Sequence, residues 1–254
     1  MAKILAVANQ KGGVGKTFLV FHLAHFLAEK GRRSLAVDLD PQGNLSLAFL
    51  LPRGLEPTCK VSEVFSRERL EVEEIGPHLF LAPSDIRLAR HEASSGGVAV
   101  YFKLKRALER FLQEVELDFV LIDCPPSLGL FSLSAFVAAN AVLVPMRPEM
   151  FSVSGLGDLL QVLEEVRENI NPHFRILGVV LNAVQERTRV ARQTISELSA
   201  SVELPILASL PHSIKAEMAL REGQPVWRIA PESPLSKALR EGFMNIYHKL
   251  SSLP

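Results

Sequence analysis

Near the N-terminus, an apolar run, a glycine-rich loop and a helix-forming stretch follow one another directly. "ILAVAN" (4–9) is rich in β-forming residues, "QKGGVGKT" (10–17) holds three glycines, and "FLVFHLAHFLAEKG" (18–31) has apolar residues at helical spacing. A glycine loop between a strand and a helix lets backbone N–H groups and the helix N-terminus converge on phosphate oxygens. The segment therefore predicts a phosphate-binding loop.

The loop carries the side chains that phosphate and metal binding need. Lys16 is expected to reach the β- and γ-phosphates of a nucleotide, and the Thr17 hydroxyl to ligate Mg²⁺. The loop departs from the pattern G-x-x-x-x-G-K-[ST], because Gln10 stands where that pattern has its first glycine and Lys11 adds a second lysine.

Along the rest of the chain, short apolar runs alternate with longer segments of helical period. The predicted strands are 4–9, 34–40, 79–84, 119–126, 141–148, 176–183 and 205–211. The predicted helices are 16–30, 85–95, 99–116, 129–139, 153–170, 189–200 and 235–250. Most strands are apolar throughout, which indicates burial on both faces. We expect an α/β fold, a mostly parallel twisted sheet with helices on both faces, in a single domain over 1–254 with a mobile insertion at 51–77.

Composition narrows the classes of protein. Lys and Arg number 28 and Asp and Glu 28, so any contact with nucleic acid must come from local patches of charge. No apolar run approaches the roughly 18 residues of a membrane-spanning helix, and the N-terminus has no pattern of a signal peptide. Cys59 and Cys124 lie far apart, which fits a reducing cytoplasm and argues against a disulfide framework or a zinc site.

Carboxylates stand at the ends of two predicted strands. Asp38 and Asp40 end the strand 34–40, and Asp123 ends the apolar part of 119–126. Ligands of such folds bind at the carboxyl ends of the strands. A carboxylate at Asp123 can hold Mg²⁺ directly or through a water, whereas Asp38 is expected to lie deeper and to have a structural role.

Three motifs resemble those of one family. "KGGVGKT" (11–17) resembles the deviant Walker A motif of the ParA/MinD superfamily of ATPases, "VDLDPQGN" (37–44) the next motif of its ParA branch, and "LIDCPPS" (121–127) its Walker B region. "VLVPMRPEMFSVSGL" (142–156) also looks like a family segment, and the resemblance is weakest over 51–100. It implies a P-loop NTPase fold, ATP and Mg²⁺ as cofactors and slow basal hydrolysis.

The resemblance also implies residue roles. Lys11 would contact the phosphates of ATP bound in the opposite subunit of a nucleotide-sandwich dimer, and Asp40 would position the attacking water. Asp123 would hold Mg²⁺ through a water, with Asn44 nearby. Asn182 would lie beside the adenine, with "SLPHS" (209–213) on its other side. The implied catalytic residues are Lys11, Lys16 and Asp40. The expected nucleotide contacts are Lys11, Gly12, Gly13, Val14, Gly15, Lys16, Thr17, Phe18, Asn182 and Pro211.

Basic residues suggest where DNA could bind. Arg187 and Lys215 match residues that bind DNA without sequence preference in the partition ATPases, and Arg189 and Arg192 lie close to Arg187. A second basic face on the helix 99–116 consists of Lys103, Lys105, Arg106 and Arg110. The resemblance implies a cytoplasmic, nucleoid-associated DNA-segregation ATPase, whose ATP dimer binds DNA and is released when a ParB-type partner stimulates hydrolysis.

Most other functions of the superfamily require features that this sequence lacks. A MinD-like membrane ATPase would end in a strongly cationic amphipathic helix, whereas the stripe over 235–250 has a mixed polar side and predicts a helix docked on the core. An iron–sulfur carrier needs paired cysteines, and a related tyrosine kinase needs a tyrosine-rich tail. This sequence has neither feature, which argues against both functions. Lys11 and "DLDPQGN" count against a ligase of the dethiobiotin-synthetase type. A ParA-like ATPase that positions a protein cargo stays open as an alternative, because the partner protein chooses the cargo.

Overall fold

An eight-stranded sheet forms the centre of the computed structural model, which describes residues 2–92, 97–148, 153–185 and 204–254. The strands are β1 Lys3–Val7, β2 Ser34–Asp38, β3 Glu73–Gly76, β4 Leu79–Ala82, β5 Phe119–Asp123, β6 Ala141–Met146, β7 Arg175–Val184 and β8 Ile206–Pro211. Their order is β3-β4-β2-β5-β1-β6-β7-β8. All neighbours pair in parallel except β3 and β4, which are antiparallel.

Helices connect the strands. The α-helices among the described residues are α1 Lys16–Glu29, α2 Asn44–Leu50, α3 Ser62–Arg67, α4 Leu88–Glu92, α5 Lys103–Glu114, α6 Leu130–Ala138, α7 Val153–Asn169, α8 Lys215–Glu222, α9 Val226–Ile229 and α10 Pro234–Ser251. Two short 3-10 helices span Leu51–Arg53 and Val98–Phe102.

The sheet is buried on both faces. Along β1, Leu5 and Val7 belong to one hydrophobic core, whereas Ala6 belongs to the other. Helices α1, α2, α9 and α10 contribute to the core that contains Leu5, and α3, α5, α6 and α7 to the core that contains Ala6. The predicted α/β fold with helices on both faces is therefore confirmed, and the apolar strands follow from burial on both sides.

Segment 51–77 was predicted to be an irregular insertion, but it contains regular secondary structure. It contains a 3-10 helix, α3 and the edge strand β3. The prediction failed because β3 has the sequence "EEIG", which holds no apolar run. Instead, the Glu73 carboxylate accepts hydrogen bonds from the Thr58 hydroxyl at 2.8 Å and from the Cys59 N–H at 3.0 Å. Such pairing between distant polar groups leaves no periodic signal in the sequence.

Along the rest of the chain, the strands agree with their predictions better than the helices do. The seven predicted strands are present within a few residues of their expected bounds, but α2, α8 and α9 were not predicted. The helix expected at 85–95 is described only as α4, since residues 93–96 lie outside the described part of the chain. The helix expected at 189–200 also lies outside the described residues.

The helix α10 docks on the core, as its stripe predicted. Leu239 and Ile246 are fully buried, and Gly242 lies so close to β8 that a Cβ there would come within 2.3 Å of the Ala208 Cβ. Ser233 caps the helix, because its hydroxyl accepts from the Ser236 N–H. Across the described ranges, the structure contains no helix with the length and apolar character to cross a bilayer.

The basic face predicted on α5 is largely engaged within the protein. Arg106 binds the Glu68 carboxylate at 2.6 Å, and Arg110 lies 3.6 Å from the same carboxylate. The Lys103 ammonium donates to the Phe65 carbonyl oxygen. These contacts join α5 to α3 and its C-terminal end, so this face is a structural junction.

Two histidines of α1 are buried in the core. His22 Nδ1 lies 2.8 Å from the Phe18 carbonyl oxygen, and the Val226 N–H donates to His22 Nε2 at 3.1 Å. The imidazole therefore carries its proton on Nδ1 and is neutral. Burial lowers the pKa of both His22 and His25 to about 3.

We expect His22→Gln to make stability less sensitive to acid. The unfolded chain protonates His22 near pH 6.5 and the folded chain only near pH 3, so the free energy of unfolding falls as pH drops through this window. The slope is about 1.4 kcal/mol per pH unit. Between pH 6.5 and pH 5, urea unfolding should show wild type losing about 2 kcal/mol more than the variant. His25 and the buried carboxyls are common to both chains, so equal losses would contradict the prediction.

Candidate nucleotide site

The glycine loop joins β1 to α1 and encloses the Lys16 side chain. The Lys16 Nζ donates to the main-chain oxygens of Asn9 and Lys11, each at 3.1 Å, and Lys16 is only 7% exposed. Burial lowers the pKa of Lys16, and the nearby Asp123 carboxylate opposes this shift. The lysine thus holds the loop in a ring around its own ammonium group.

Asn9 anchors this loop, a role that its position in the sequence did not predict. Its Nδ2 donates to the Pro145 main-chain oxygen at 2.7 Å, and its Oδ1 accepts from the Lys11 N–H at 3.0 Å. The side chain therefore ties the start of the loop to β6. The sequence shows an asparagine at the end of an apolar strand, but it does not indicate the partner of that side chain. The Pro145 oxygen that Asn9 binds lies 136 residues away.

Thr17 and Asp123 form a direct pair across the site. The Thr17 hydroxyl donates to Asp123 Oδ2 at 2.7 Å. The other carboxylate oxygen, Oδ1, is buried and has no hydrogen-bond partner among the described residues. A hydroxyl beside an unsatisfied carboxylate oxygen is a set of hard oxygen ligands, so these residues fit Mg²⁺.

A second buried carboxylate lies next to Asp123. Asp38 pairs with Asp123 in the β2–β5 register, so both side chains stand at the carboxyl ends of neighbouring strands. Burial raises the pKa of Asp123 well above its usual range, and the charge of Asp38 adds to the shift. Burial likewise raises the pKa of Asp38 to about 6. A cation bound here would relieve this repulsion.

Asp38 and Asp40 have different surroundings. Asp38 is fully buried, and its Oδ2 accepts from the Ser46 N–H at 2.8 Å and from the Ser46 hydroxyl at 2.7 Å. This agrees with the deeper position expected for it. Asp40 is partly exposed, and its Oδ1 accepts from the Gln42 N–H at 2.9 Å. Asn44 begins α2 and is exposed.

Asn182 reaches the glycine loop from β7. Its Nδ2 donates to the Val14 main-chain oxygen at 2.9 Å. Gly15 has a φ of +102°, and a Cβ there would lie 2.0 Å from the Asn182 Nδ2, so only glycine fits this contact. Pro211 pairs with Val184 near the same end of the sheet. The expected contact of Asn182 with adenine stays a prediction.

The residues expected to bind DNA are described only in part. Lys215 begins α8 and is partly buried, with its Nζ 3.8 Å from the Met218 sulfur. The other three, Arg187, Arg189 and Arg192, lie outside the described residues. The structure thus brings together the loop, Asp40, Asp123 and Asn182, but it does not test the predicted DNA face.

Comparison with known families and proteins gives consistent matches. The family described as an AAA domain matches residues 2–176. The chromosome-partitioning ATPase Soj of Thermus thermophilus is 36% identical over 240 residues, which are 93% of this chain and 92% of that protein. The chromosome partitioning protein ParA of Caulobacter vibrioides is 35% identical over 229 residues, which are 88% and 86% of the two chains.

Solved structures show the same architecture. Cobyrinic acid a,c-diamide synthase of Mycobacterium smegmatis, with a bound ATP analogue and magnesium, has a TM-score of 0.83 and 32% identity over 99% of this chain and 97% of that one. Apo McdA of Cyanothece has a TM-score of 0.83 and 25% identity over 98% and 100% of the two chains. With its glycine loop, its paired Thr17 and Asp123 and these relatives, the chain belongs to the ParA/Soj-type partition ATPases of the ParA/MinD superfamily of P-loop NTPases.

Proposed function

We propose that residues 1–254 act as one DNA-segregation ATPase domain that binds ATP and Mg²⁺. Its ATP-bound sandwich dimer would hold DNA without sequence preference, and a ParB-type partner would stimulate hydrolysis and release. The protein would work in the cytoplasm on the nucleoid, without a membrane. The observation that carries the proposal is the Thr17–Asp123 pair beside the enclosed Lys16 ammonium.

The glycine loop binds the phosphates in this proposal. Lys16 would exchange two neutral carbonyl acceptors, those of Asn9 and Lys11, for charged phosphate oxygens, which are stronger acceptors. Thr17 and Asp123 would hold Mg²⁺, the former directly and the latter directly or through a water. The bound ion would neutralise charge on the β- and γ-phosphates.

Hydrolysis needs a positioned water and a second subunit. Asp40 is partly exposed at the edge of the site, where its carboxylate can orient a water toward the γ-phosphate. Lys11 would reach the nucleotide of the partner subunit and so couple ATP binding to dimerisation. A single partly exposed carboxylate, with no histidine assigned to activate the water among the described residues, fits slow basal turnover.

DNA binding is expected to follow from the dimer. Net charge is zero, so one subunit has no overall excess of positive charge to attract a phosphate backbone. Dimerisation doubles Arg187 and Lys215 on one surface. The cations Arg106 and Arg110 of α5 are paired with Glu68, which leaves the Arg187 and Lys215 region as the stronger candidate.

The experiment is DNA binding in the two nucleotide states. We expect fluorescence anisotropy with random duplex to show binding with ATP and much weaker binding with ADP. With two to four contacts per subunit, the slope of log K against log salt should be roughly −4 to −7. Lys215→Glu or Arg187→Glu should weaken binding and reduce the slope by about 2, since each dimer carries the change twice.

Lys30→Glu is the matched control. Lys30 is exposed just beyond the end of α1 and is not one of the cations assigned to the DNA face, so its reversal should leave the slope nearly unchanged. Equal binding with ATP and ADP, or no effect of the reversals at 187 and 215, would contradict the DNA face. Those results would favour the ATPase that positions a protein cargo.

A further inference from the structure

We propose that Ser84 is a positioning residue for Asp40, an inference that rests on the hydrolytic role proposed above for Asp40. Ser84 follows β4 and is 8% exposed. Its hydroxyl donates to the main-chain oxygen of Asp40 at 2.6 Å, across 44 positions of sequence. It therefore contacts the turn that carries the Asp40 carboxylate from a different strand.

Ser84 closes a ring of hydrogen bonds around that turn. The Ser84 N–H donates to Ser46 Oγ at 2.8 Å, and Ser46 Oγ donates to Asp38 Oδ2 at 2.7 Å. The ring returns to the turn because Asp38 Oδ1 accepts from the Asp40 N–H at 3.2 Å. Both main-chain polar groups of Asp40 are thus held by side chains that are themselves buried. Each hydroxyl donates once, so the proton positions around the ring are consistent.

The ring controls the carboxylate through its backbone. Among the described residues, the Asp40 carboxylate accepts its one hydrogen bond from the N–H of Gln42, which belongs to the same turn. The carboxylate therefore moves with the turn, and Ser84 is the residue of the ring that lies outside segment 38–46. A displacement of about 1 Å at a group that positions a reactant can cost about 100-fold in rate. The hydrogen bonds that the described residues give Ser84 run to Ser46 and Asp40 and none to the glycine loop, so ATP affinity should not depend on it.

The test compares Ser84→Ala with Ser84→Thr and with Ser134→Ala. Ser134 is a matched control, because it is fully buried in α6 and its Oγ has no hydrogen-bond partner within the described ranges. The measurements are kcat and KM for ATP hydrolysis with Mg²⁺ and duplex DNA, the ATP Kd by calorimetry and the Tm. We expect Ser84→Ala to lower kcat by about 10- to 100-fold with the ATP Kd within about twofold of wild type. Ser84→Thr, which keeps the hydroxyl, should recover most of kcat, and Ser134→Ala should leave it unchanged.

Asp40→Ala, measured beside these variants, separates the two proposals. If it has lost hydrolysis while Ser84→Ala keeps the wild-type kcat, the role of Ser84 is wrong and the proposed function stands. If Asp40→Ala hydrolyses ATP like wild type, the role of Asp40 is wrong and the inference on Ser84 falls with it. A parallel loss of ATP affinity and kcat in Ser84→Ala would show general damage and would also overturn the inference. Should Ser84→Ala not fold, Ser84→Cys keeps the side-chain size with a weaker donor and should lower kcat in the same way.

Discussion

Lys16→Ala is expected to weaken ATP binding by at least ~100-fold, because it removes the one ammonium group enclosed by the glycine loop. Charge-assisted hydrogen bonds to phosphate contribute about 1.5–3 kcal/mol each, and losing two of them accounts for a change of this size. The variant also loses the contacts to the Asn9 and Lys11 carbonyls, which shape the loop before ATP binds. Dimerisation and DNA binding should fail with ATP binding. Calorimetry with ATP and Mg²⁺ measures the affinity directly.

Lys30→Ala is the control for this change. It removes the same side chain just beyond the other end of α1, where the Lys30 ammonium lies 5.2 Å from the centroid of the Phe26 ring, so ATP affinity should stay at the wild-type value. If Lys16→Ala retained the wild-type affinity, the phosphate loop would have been assigned to the wrong segment.

Asp40→Ala is expected to give a lasting ATP-bound dimer, with hydrolysis reduced by about 100- to 1,000-fold. The substitution removes the carboxylate but keeps the main-chain groups that Ser84 and Asp38 hold, so the turn should remain formed. Lys16, Thr17 and Asp123 are unchanged, and nucleotide binding should persist. Size-exclusion chromatography with ATP and Mg²⁺ should show the dimer long after the wild-type dimer has dissociated.

The same assay tests Lys11. In the double variant Lys11→Ala and Asp40→Ala, ATP should still bind, because Lys16 and the loop amides are intact, yet the dimer should not accumulate. A monomeric Asp40→Ala with ATP bound would contradict the role of Asp40. A stable dimer of the double variant would contradict the contact of Lys11 with the partner's nucleotide.

The fold was predictable where the signal is local. The strands β1, β5 and β6 are continuous apolar runs, and the glycine loop follows β1 directly, so sequence spacing alone predicted a loop between β1 and α1. The carboxylates at strand ends followed from the same rule, since parallel strands bring their carboxyl ends together.

The features that the sequence did not predict depend on contacts between residues far apart in sequence. Asn9 binds Pro145, and Ser84 binds Asp40, so neither contact leaves a periodic pattern near the residue itself. The bond from the Asn182 amide to the Val14 main-chain oxygen was not predicted either, and the contact expected with adenine stays a prediction. The edge strand β3 is polar, and only its pairing with β4 makes it a strand.

The order of the strands divides the nucleotide site into regions of unequal local stability. β2, β5 and β1 lie side by side in the middle of the sheet. They carry, in that order, the turn that holds Asp40, the residue Asp123 and the glycine loop. Each of these three strands is paired on both sides, so the hydrogen bonds of its backbone amides open only when much of the molecule unfolds. Pro211 stands on β8, the edge strand at one margin of the sheet, where sub-global opening costs less free energy. The end of the pocket assigned to the phosphates is therefore the more rigid end, and Asn182, whose amide donates to the Val14 main-chain oxygen, couples the glycine loop to the end assigned to the base.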